Sequence, residues 1–321
     1  MNVEINPFGT AYNPVSIYRC LERLATGRPF EEEELEEHPQ DGRWFSFDHH
    51  TSFSARDPSK VLSNINSRLA QGHVSLKHAK HVFLTLGTAH AYVLLSKERK
   101  GREKGEKRVV ANCHRLPATS FRRELLDIPK IVSSLQSAIQ SIRVINTECT
   151  ITFTVSPVRH LRNAAGDAIQ SSRSKAQLLA AIHQVLDEDL LSPSSSPSVS
   201  PSSSPSSSLL SYFPAYEIMM DDLRDYRFYA PDMIHPSPVA LEYIYSRFAD
   251  AYLDFSPPSF LLRKDLETLR RNLQHRPLDR TSPAHQLFLK QQLIKMEGLQ
   301  ASWPHLDFEA ERAVVRKGLV E

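Results

Sequence analysis

The chain contains 321 residues, of which 40% are hydrophobic, and its formal net charge at pH 7 is +2. This length allows one large domain or two smaller ones, each with a hydrophobic core of its own. The small net charge gives no electrostatic argument for nucleic-acid binding, and no apolar run is long enough for a transmembrane helix. We therefore expect a globular protein without nucleic-acid or membrane partners.

The N-terminal residues and the cysteines bear on the cellular compartment. The first nine residues lack the charged and apolar regions of a secretory signal peptide. Cys20, Cys113 and Cys149 are far apart and odd in number, which favours free thiols over a disulfide framework or a zinc site. We expect an intracellular protein, with the cytoplasm favoured, that uses no cofactor. The sequence does not predict the oligomeric state.

Hydrophobic patterns predict alternating strands and helices in the first half of the chain. The predicted elements are a short strand at 3–5, helices at 14–26 and 59–72, and strands at 81–87, 91–95 and 108–111. The run at 81–87 is almost continuously apolar and ends in Gly87, which is typical of a strand buried in a parallel sheet. A charged hairpin tip, 97–108, joins the next two strands. Its basic residues are interspersed with acidic ones, and the segment contains no aromatic residue. Both features argue against nucleic-acid binding.

The second half continues the alternation and ends in helices. We predict helices at 129–142 and 174–186, a core strand at 149–156, and a last core strand that begins near Tyr212 and includes Tyr216 and Glu217. Helices are predicted at 237–249 and over most of 257–320. The Ser/Pro-rich insertion 192–208 cannot bury apolar surface and is expected to be disordered. These elements indicate an α/β sandwich with a mostly parallel sheet at 1–255, followed by a helical extension at 256–321.

Candidate catalytic residues follow the last predicted strand. An aspartate three residues before a histidine, here Asp232 and His235, can form the orienting acid and general base of a hydrolase triad. The spacing alone is weak, because chance gives roughly one such pair in a chain of this length. Polar segments also follow the other strands, at 6–9, 86–89, 112–114 and 156–160, where ligands of α/β folds bind. His49 and His50 lack a third ligand at a suitable spacing for a metal site.

Several long segments resemble the GSCFA domain family, which is related to the SGNH (GDSL-type) hydrolases. The similar segments are residues 6–17, 82–92, 109–117, 152–162, 172–179 and 212–237. The resemblance implies a three-layer, flavodoxin-like α/β sandwich with serine-hydrolase machinery. It makes His235 the general base and Asp232 its partner.

The resemblance also implies an oxyanion site. Gly9 corresponds to the glycine whose backbone N–H binds the oxyanion. The superfamily places an asparagine after a middle strand, where this chain has Gly87-Thr88-Ala89, so Thr88 or Asn112 could replace that donor. Arg159 and His160 could bind an anionic or sugar substrate, or could instead bond to the aspartates Asp221, Asp222 and Asp225.

One departure from the family concerns the nucleophile. The Gly-Ser-Cys-Phe-Ala motif, whose serine aligns with the nucleophile, is absent, and we expect the first strand of the sheet to be absent with it. The explanations are an incomplete gene model, a truncated non-catalytic product, or another serine such as Ser156. We expect the complete protein to hydrolyse or transfer a small acyl ester or acylated carbohydrate, and this chain to be inactive. The alternative is a non-catalytic binding protein that retains the pocket.

Overall fold

The computed structural model describes residues 3–95, 108–159, 165–191, 209–253, 265–266, 268–273, 277, 281–304 and 306–319. The chain divides into two compact units, Met1–Ile244 and Tyr245–Glu321. The domains predicted at 1–255 and 256–321 stay a prediction. Residues 97–107 of the charged tip predicted at 97–108, and the Ser/Pro insertion at 192–208, lie outside the described residues.

The first unit alternates helices and strands as the hydrophobic pattern predicts. In chain order they are α1 (Pro14–Thr26), β1 (Glu36–Glu37), β2 (Trp44–Phe45), α2 (Pro58–His78), β3 (His81–Leu86), β4 (His90–Leu94), β5 (Arg108–Val110), β6 (Phe121–Leu125), α3 (Ile128–Ile145), β7 (Thr150–Val155), α4 (Ala165–Leu190) and β8 (Leu210–Phe213). Helix α5 (Pro238–Tyr252) begins in this unit and continues past its last residue, Ile244.

Strands β3, β7 and β8 form a parallel sheet in the order β3-β7-β8. Leu84 pairs with Phe153, which pairs with Tyr212 on the other side. Phe153 and Ile151 are fully buried, so the central strand has covered faces, as apolar parallel strands require. The carboxyl ends of all three strands therefore lie along one edge, here called the carboxyl edge. The mixed α/β class and the parallel sheet are confirmed, whereas the flavodoxin-like sandwich and its missing first strand stay predictions.

A second sheet is antiparallel, in the order β5-β4-β6. Tyr92 pairs with Val110 on β5 and with Arg123 on β6. The strands β4 and β5 confirm the two predicted arms of the charged hairpin. Phe47 and Phe121 form part of a small core on this sheet.

Helices α1, α2 and α3 begin with a shared sequence signal. Asn13, Asp57 and Asp127 each accept a hydrogen bond from a backbone N–H in the first turn, and a proline follows within two residues. The capping side chain satisfies an N–H that has no partner within the helix, and proline has no N–H to leave unsatisfied at this position. Helix α3 then packs against α1 and α4 through a fully buried stripe of Ile131, Leu135, Ala138 and Ile142.

Two local predictions are wrong. Residues 3–5 are exposed and form no strand, because a strand needs a pairing partner and no described segment pairs with them. Tyr216 and Glu217 lie in a helical turn, Ala215–Glu217, rather than in the last strand. Strand β8 ends at Phe213 because the next residue, Pro214, has no N–H to continue the sheet ladder.

The second unit is helical in its described part, as predicted. Its named helices are α6 (Pro283–Ser302) and α7 (Glu309–Gly318). Leu289, Met296 and Val315 lie in its core. No helix in the described ranges of either unit is long and apolar enough to cross a membrane.

Candidate active site

The Asp232–His235 turn forms a closed set of short hydrogen bonds. His235 Nδ1 lies 2.6 Å from Asp232 Oδ2, and Asp232 Oδ1 accepts from the backbone N–H groups of Ile234 (2.9 Å) and His235 (3.0 Å). The backbone N–H of His235, that of Ile234 and the imidazole together lower the pKa of Asp232 to about 2. Asp232 is therefore a carboxylate near neutral pH. Because a carboxylate only accepts, Nδ1 of His235 carries the proton.

The other imidazole nitrogen of His235 faces an open surface. The side chain is 60% exposed, and Nε2 forms no hydrogen bond with any residue in the described ranges. With the proton on Nδ1, the lone pair on Nε2 is free to accept a proton, as a general base requires. No serine, threonine or cysteine of the described chain bonds to this atom, so the candidate base has no nucleophile beside it in that part of the chain.

Arg159 connects this turn to the carboxyl end of β7. Its backbone N–H donates to the carbonyl of Ile234 at 3.3 Å. Its Nη2 donates to the hydroxyl of Tyr229 at 2.9 Å, and its guanidinium carbon lies 4.3 Å from the centre of the Tyr229 ring. Tyr229 in turn pairs with Pro236 in an antiparallel bridge. The Asp232–His235 turn is thus held by the backbone of Arg159 and by that of Tyr229.

The structure distinguishes between the two interpretations of Arg159. Asp221, Asp222 and Asp225 form no bond with Arg159. Their side chains contact Arg224, the Tyr243 hydroxyl and the backbone N–H of Arg227, respectively. The structural alternative for Arg159 is therefore wrong within the described chain, and its role in substrate binding stays a prediction. His160 lies outside the described residues.

Lys175 also lies at the carboxyl edge, where sequence analysis missed it. Its Nζ donates to the carbonyls of Gly87 (2.6 Å) and Ser156 (2.5 Å), which follow β3 and β7. The residue is 2% exposed, and burial lowers its pKa to about 8. Its position contained a signal, because Lys175 precedes Leu178 and Ile182 by three and seven residues on the buried stripe of α4. A lysine where the stripe needs an apolar residue indicates a buried partner.

Gly9 has an evident structural reason to be glycine. Its φ is +82°, and a Cβ at this position would lie 2.2 Å from the Cβ of His50. Its backbone N–H donates to the carbonyl of Asn6 at 2.8 Å, so this N–H already has an acceptor inside the turn. The oxyanion role of Gly9 stays a prediction that requires this bond to be exchanged.

The two other oxyanion candidates differ in their free donors. The backbone N–H of Thr88 donates to the carbonyl of Tyr12, and the Thr88 hydroxyl contacts Ser174 Oγ at 3.1 Å and His90 Nδ1 at 3.3 Å. Asn112 Oδ1 accepts from the backbone N–H of His114 at 2.8 Å. That bond fixes the amide orientation, and Asn112 Nδ2 has no partner within the described chain. Asn112 therefore keeps an uncommitted donor, whereas Thr88 does not.

His49 and His114 belong to a separate aromatic–histidine cluster, which comprises Phe8, Phe30, Phe45, Ser46, Phe47, His49, Phe53 and His114. His49 Nδ1 lies 3.0 Å from Ser46 Oγ, and His114 Nε2 donates to the Ser46 carbonyl at 2.9 Å. Burial, the largest cause in each case, lowers the pKa of both histidines to about 4. No group of three or more metal-ligating side chains occurs among the described residues, and we interpret this cluster as structural.

Two cavities lie on α1, away from the Asp232–His235 turn. One of about 400 Å³ is lined by residues that include Arg19, Arg23 and Asp48. The other, of about 470 Å³, is lined by residues that include Val15 and Lys130. Neither is lined by Asp232 or His235, and the His235 side chain is largely exposed to solvent.

The first unit is thus a mixed α/β protein with an oriented Asp–His pair at the carboxyl edge of a parallel sheet. A sequence model of the GSCFA family matches residues 1–248, and a model of the GSCFA domain protein, C-terminal domain, matches residues 266–321. The chain therefore belongs to the GSCFA family. No curated protein and no solved structure matches it.

Proposed function

We propose that this chain carries the acid–base part of an SGNH-like serine esterase or acyltransferase site. The observation that carries the proposal is the 2.6 Å bond from His235 Nδ1 to Asp232, which leaves Nε2 open. In such a site Nε2 removes the proton of a serine hydroxyl as its oxygen attacks the ester carbonyl. The imidazolium that forms is stabilised by the carboxylate, and it later returns the proton to the leaving group.

The position of the pair supports this proposal. In open α/β sheets, ligands bind beyond the carboxyl ends of the strands. Arg159 ties the Asp232–His235 turn to the end of β7, and Lys175 ties the ends of β3 and β7 together. A base held by contacts of this kind keeps the geometry that proton transfer requires.

We further propose that no residue of this chain serves as the nucleophile. No described hydroxyl or thiol bonds to His235 Nε2, and burial raises the pKa of the Cys20 thiol to about 12, which disfavours a thiolate. Asn112 supplies an oxyanion donor, with Gly9 and Thr88 as the other candidates. The substrate class is a small acyl ester or an acylated carbohydrate.

The orientation of His235 can be tested without catalysis. In histidine-selective ¹⁵N NMR spectra, His235 is expected as the Nδ1–H tautomer, with its proton in a strong hydrogen bond. The variant D232N removes the charge of the acceptor and should shift that signal strongly, whereas D187N, on α4, should not. An Nε2–H tautomer in the unaltered chain would refute the oriented base.

The absence of a nucleophile is tested with a serine-directed fluorophosphonate probe. We expect no covalent labelling of the chain, and no difference between the unaltered chain and H235A. The variant H78A, which removes an exposed histidine at the end of α2, controls for non-specific effects. Labelling that disappears in H235A but persists in H78A would establish a serine nucleophile within these residues.

A second candidate function is a non-catalytic binding protein that retains this surface. The same observation favours it, since Nε2 of His235 contacts no nucleophile in the described part of the chain. This alternative predicts that acyl esters bind and are released intact even when an alcohol is added as an external nucleophile, whereas an oriented base should accelerate acyl transfer to that alcohol. Mass spectrometry of the recovered ligand distinguishes the two outcomes.

A further inference from the structure

Arg159 has a charged group that no residue in the described part of the chain neutralises. Among the residues that the structure describes, its side chain forms one hydrogen bond, from Nη2 to the Tyr229 hydroxyl. It has no carboxylate partner among the described residues. A guanidinium carries five N–H donors, so the described residues leave most of its hydrogen-bonding capacity unused. A partly buried arginine without a counter-ion is electrostatically unfavourable, and an anion that binds beside it would stabilise the charge.

Arg159 is also oriented and not merely exposed. The Tyr229 ring lies under its guanidinium at 4.3 Å, and the Tyr229 hydroxyl fixes one edge of the group. Stacking on an aromatic ring leaves the remaining edges of a guanidinium available for planar, two-point bonding to a carboxylate or phosphate. Such preorganisation lowers the entropy cost of ligand binding.

The backbone of Arg159 places this group beside the candidate base. Its N–H bonds to Ile234, the residue that precedes His235. Lys175, a second cation, contacts the carbonyl of Ser156 in the same loop. The acidic residues that could compete have other partners: Asp232 bonds to His235, and Glu217 accepts from the Tyr212 hydroxyl.

We propose that Arg159 recognises an anionic substituent, carboxylate or phosphate, on the acyl compound that binds at His235. The proposal rests on the proposed function and specifies its substrate class: the acyl compound is acidic, and its charged group binds on the β7 side of the base. Tyr229 acts as the positioning residue for the guanidinium.

The test compares ligands that differ in charge but have nearly the same shape. We choose 4-acetamidobenzoate, its neutral carboxamide analogue 4-acetamidobenzamide, and 4-acetamidophenyl phosphate, and measure their dissociation constants for the full chain by ligand-observed NMR titration. The benzoate is expected to bind at least about tenfold more tightly than the benzamide, because a charge-assisted two-point bond is the main difference between them. The ratio of benzoate to 4-acetamidophenyl phosphate affinities distinguishes a carboxylate site from a phosphate site.

Variants of Arg159 assign the preference to this residue. R159M should abolish the preference for the benzoate without weakening benzamide binding. R159K should retain part of this preference, because lysine keeps the charge but loses the planar fork. R224M is the matched control, since it removes a more exposed arginine that pairs with Asp221. Equal affinities in the unaltered chain, or an undiminished preference in R159M, would overturn the proposal. If R159M fails to fold by circular dichroism, an undiminished preference in R159K decides against it in the same way.

The variant H235A separates this inference from the proposed function. An anion preference that depends on Arg159 and survives H235A supports the anion site even if His235 proves not to be a base. A correctly oriented His235 without any anion preference refutes the anion site and leaves the proposed base intact.

Discussion

The carboxyl edge and the aromatic–histidine cluster place the same side chain in opposite environments. His235 is 60% exposed and bonds to a carboxylate. His49 is 1% exposed and lies among phenylalanine rings, with the Phe8 and Phe30 ring centres 4.6 and 4.7 Å away. Both imidazoles have a partner on Nδ1. Only at the carboxyl edge does the second nitrogen face solvent, so only there can the ring exchange a proton with a ligand.

The comparison shows that the environment, and not the residue type, decides the role. In the cluster, burial disfavours the imidazolium and keeps His49 and His114 neutral near pH 7. At the edge, the carboxylate of Asp232 fixes the tautomer and can stabilise an imidazolium. The histidines of the cluster therefore support the fold, and His235 is available for chemistry.

The largest expected effect is acid destabilisation through the cluster. Folded His49 and His114 have pKa values of about 4, below the ordinary 6.5. Unfolded histidines therefore bind protons between pH 6.5 and 4 while the folded ones do not, so the free energy of unfolding decreases as the pH falls through this window. Each histidine contributes up to about 3 kcal/mol. Urea unfolding at several pH values measures this slope.

Variants connect that slope to the cluster. H114F, and separately H49F, should each reduce the decrease between pH 6.5 and 4 by up to about half, because phenylalanine cannot take up a proton. H78F, at the exposed end of α2, should leave the slope nearly unchanged. A slope unaffected by both cluster variants would mean that the two histidines do not titrate as buried neutral groups.

The next effect, also up to about 3 kcal/mol, concerns the buried cation of the carboxyl edge. The folded pKa of Lys175 is about 8, against an ordinary 10.5. Between these values the unfolded lysine remains charged while the folded one loses its proton, so this residue makes the folded state more stable as the pH rises from 8 to 10.5. The variant K175M should lack that gain in stability. The difference in unfolding free energy between the unaltered chain and K175M, measured across this pH range, gives its size. K290M, in α6, is the control, and a gain that persists in K175M would contradict the assignment.

The sequence predicted the regular elements well because their signals are local. Capping residues such as Asn13 and Asp127, and apolar runs such as that of β7, act within a few residues of the chain. The strand predicted at residues 3–5 failed because strand formation depends on a distant partner, which no local pattern contains. The strand predicted through Tyr216 ends at Phe213 because Pro214 has no N–H to continue the sheet ladder.

The candidate site was predictable only in part, for a related reason. Asp232 and His235 are three residues apart, so their bond follows from sequence spacing. Lys175 is 88 residues from Gly87, whose carbonyl it binds, and no pattern links the two. The lack of a bond between Arg159 and the nearby aspartates likewise depends on the folded positions of α5 and the preceding turns.

The smallest expected effect is that of replacing Gly9 by alanine, compared with the same change at Gly298. Gly9→Ala places a Cβ against His50 and requires an L residue at φ +82°, so we expect a loss of about 2 kcal/mol in unfolding free energy. Gly298→Ala is the matched control, since no atom lies within 4 Å of the added Cβ. In the interior of α6 this change should stabilise by about 0.5–1 kcal/mol. Chemical denaturation measures both, and a Gly9→Ala variant as stable as the unaltered chain would mean that the turn can relax around a side chain.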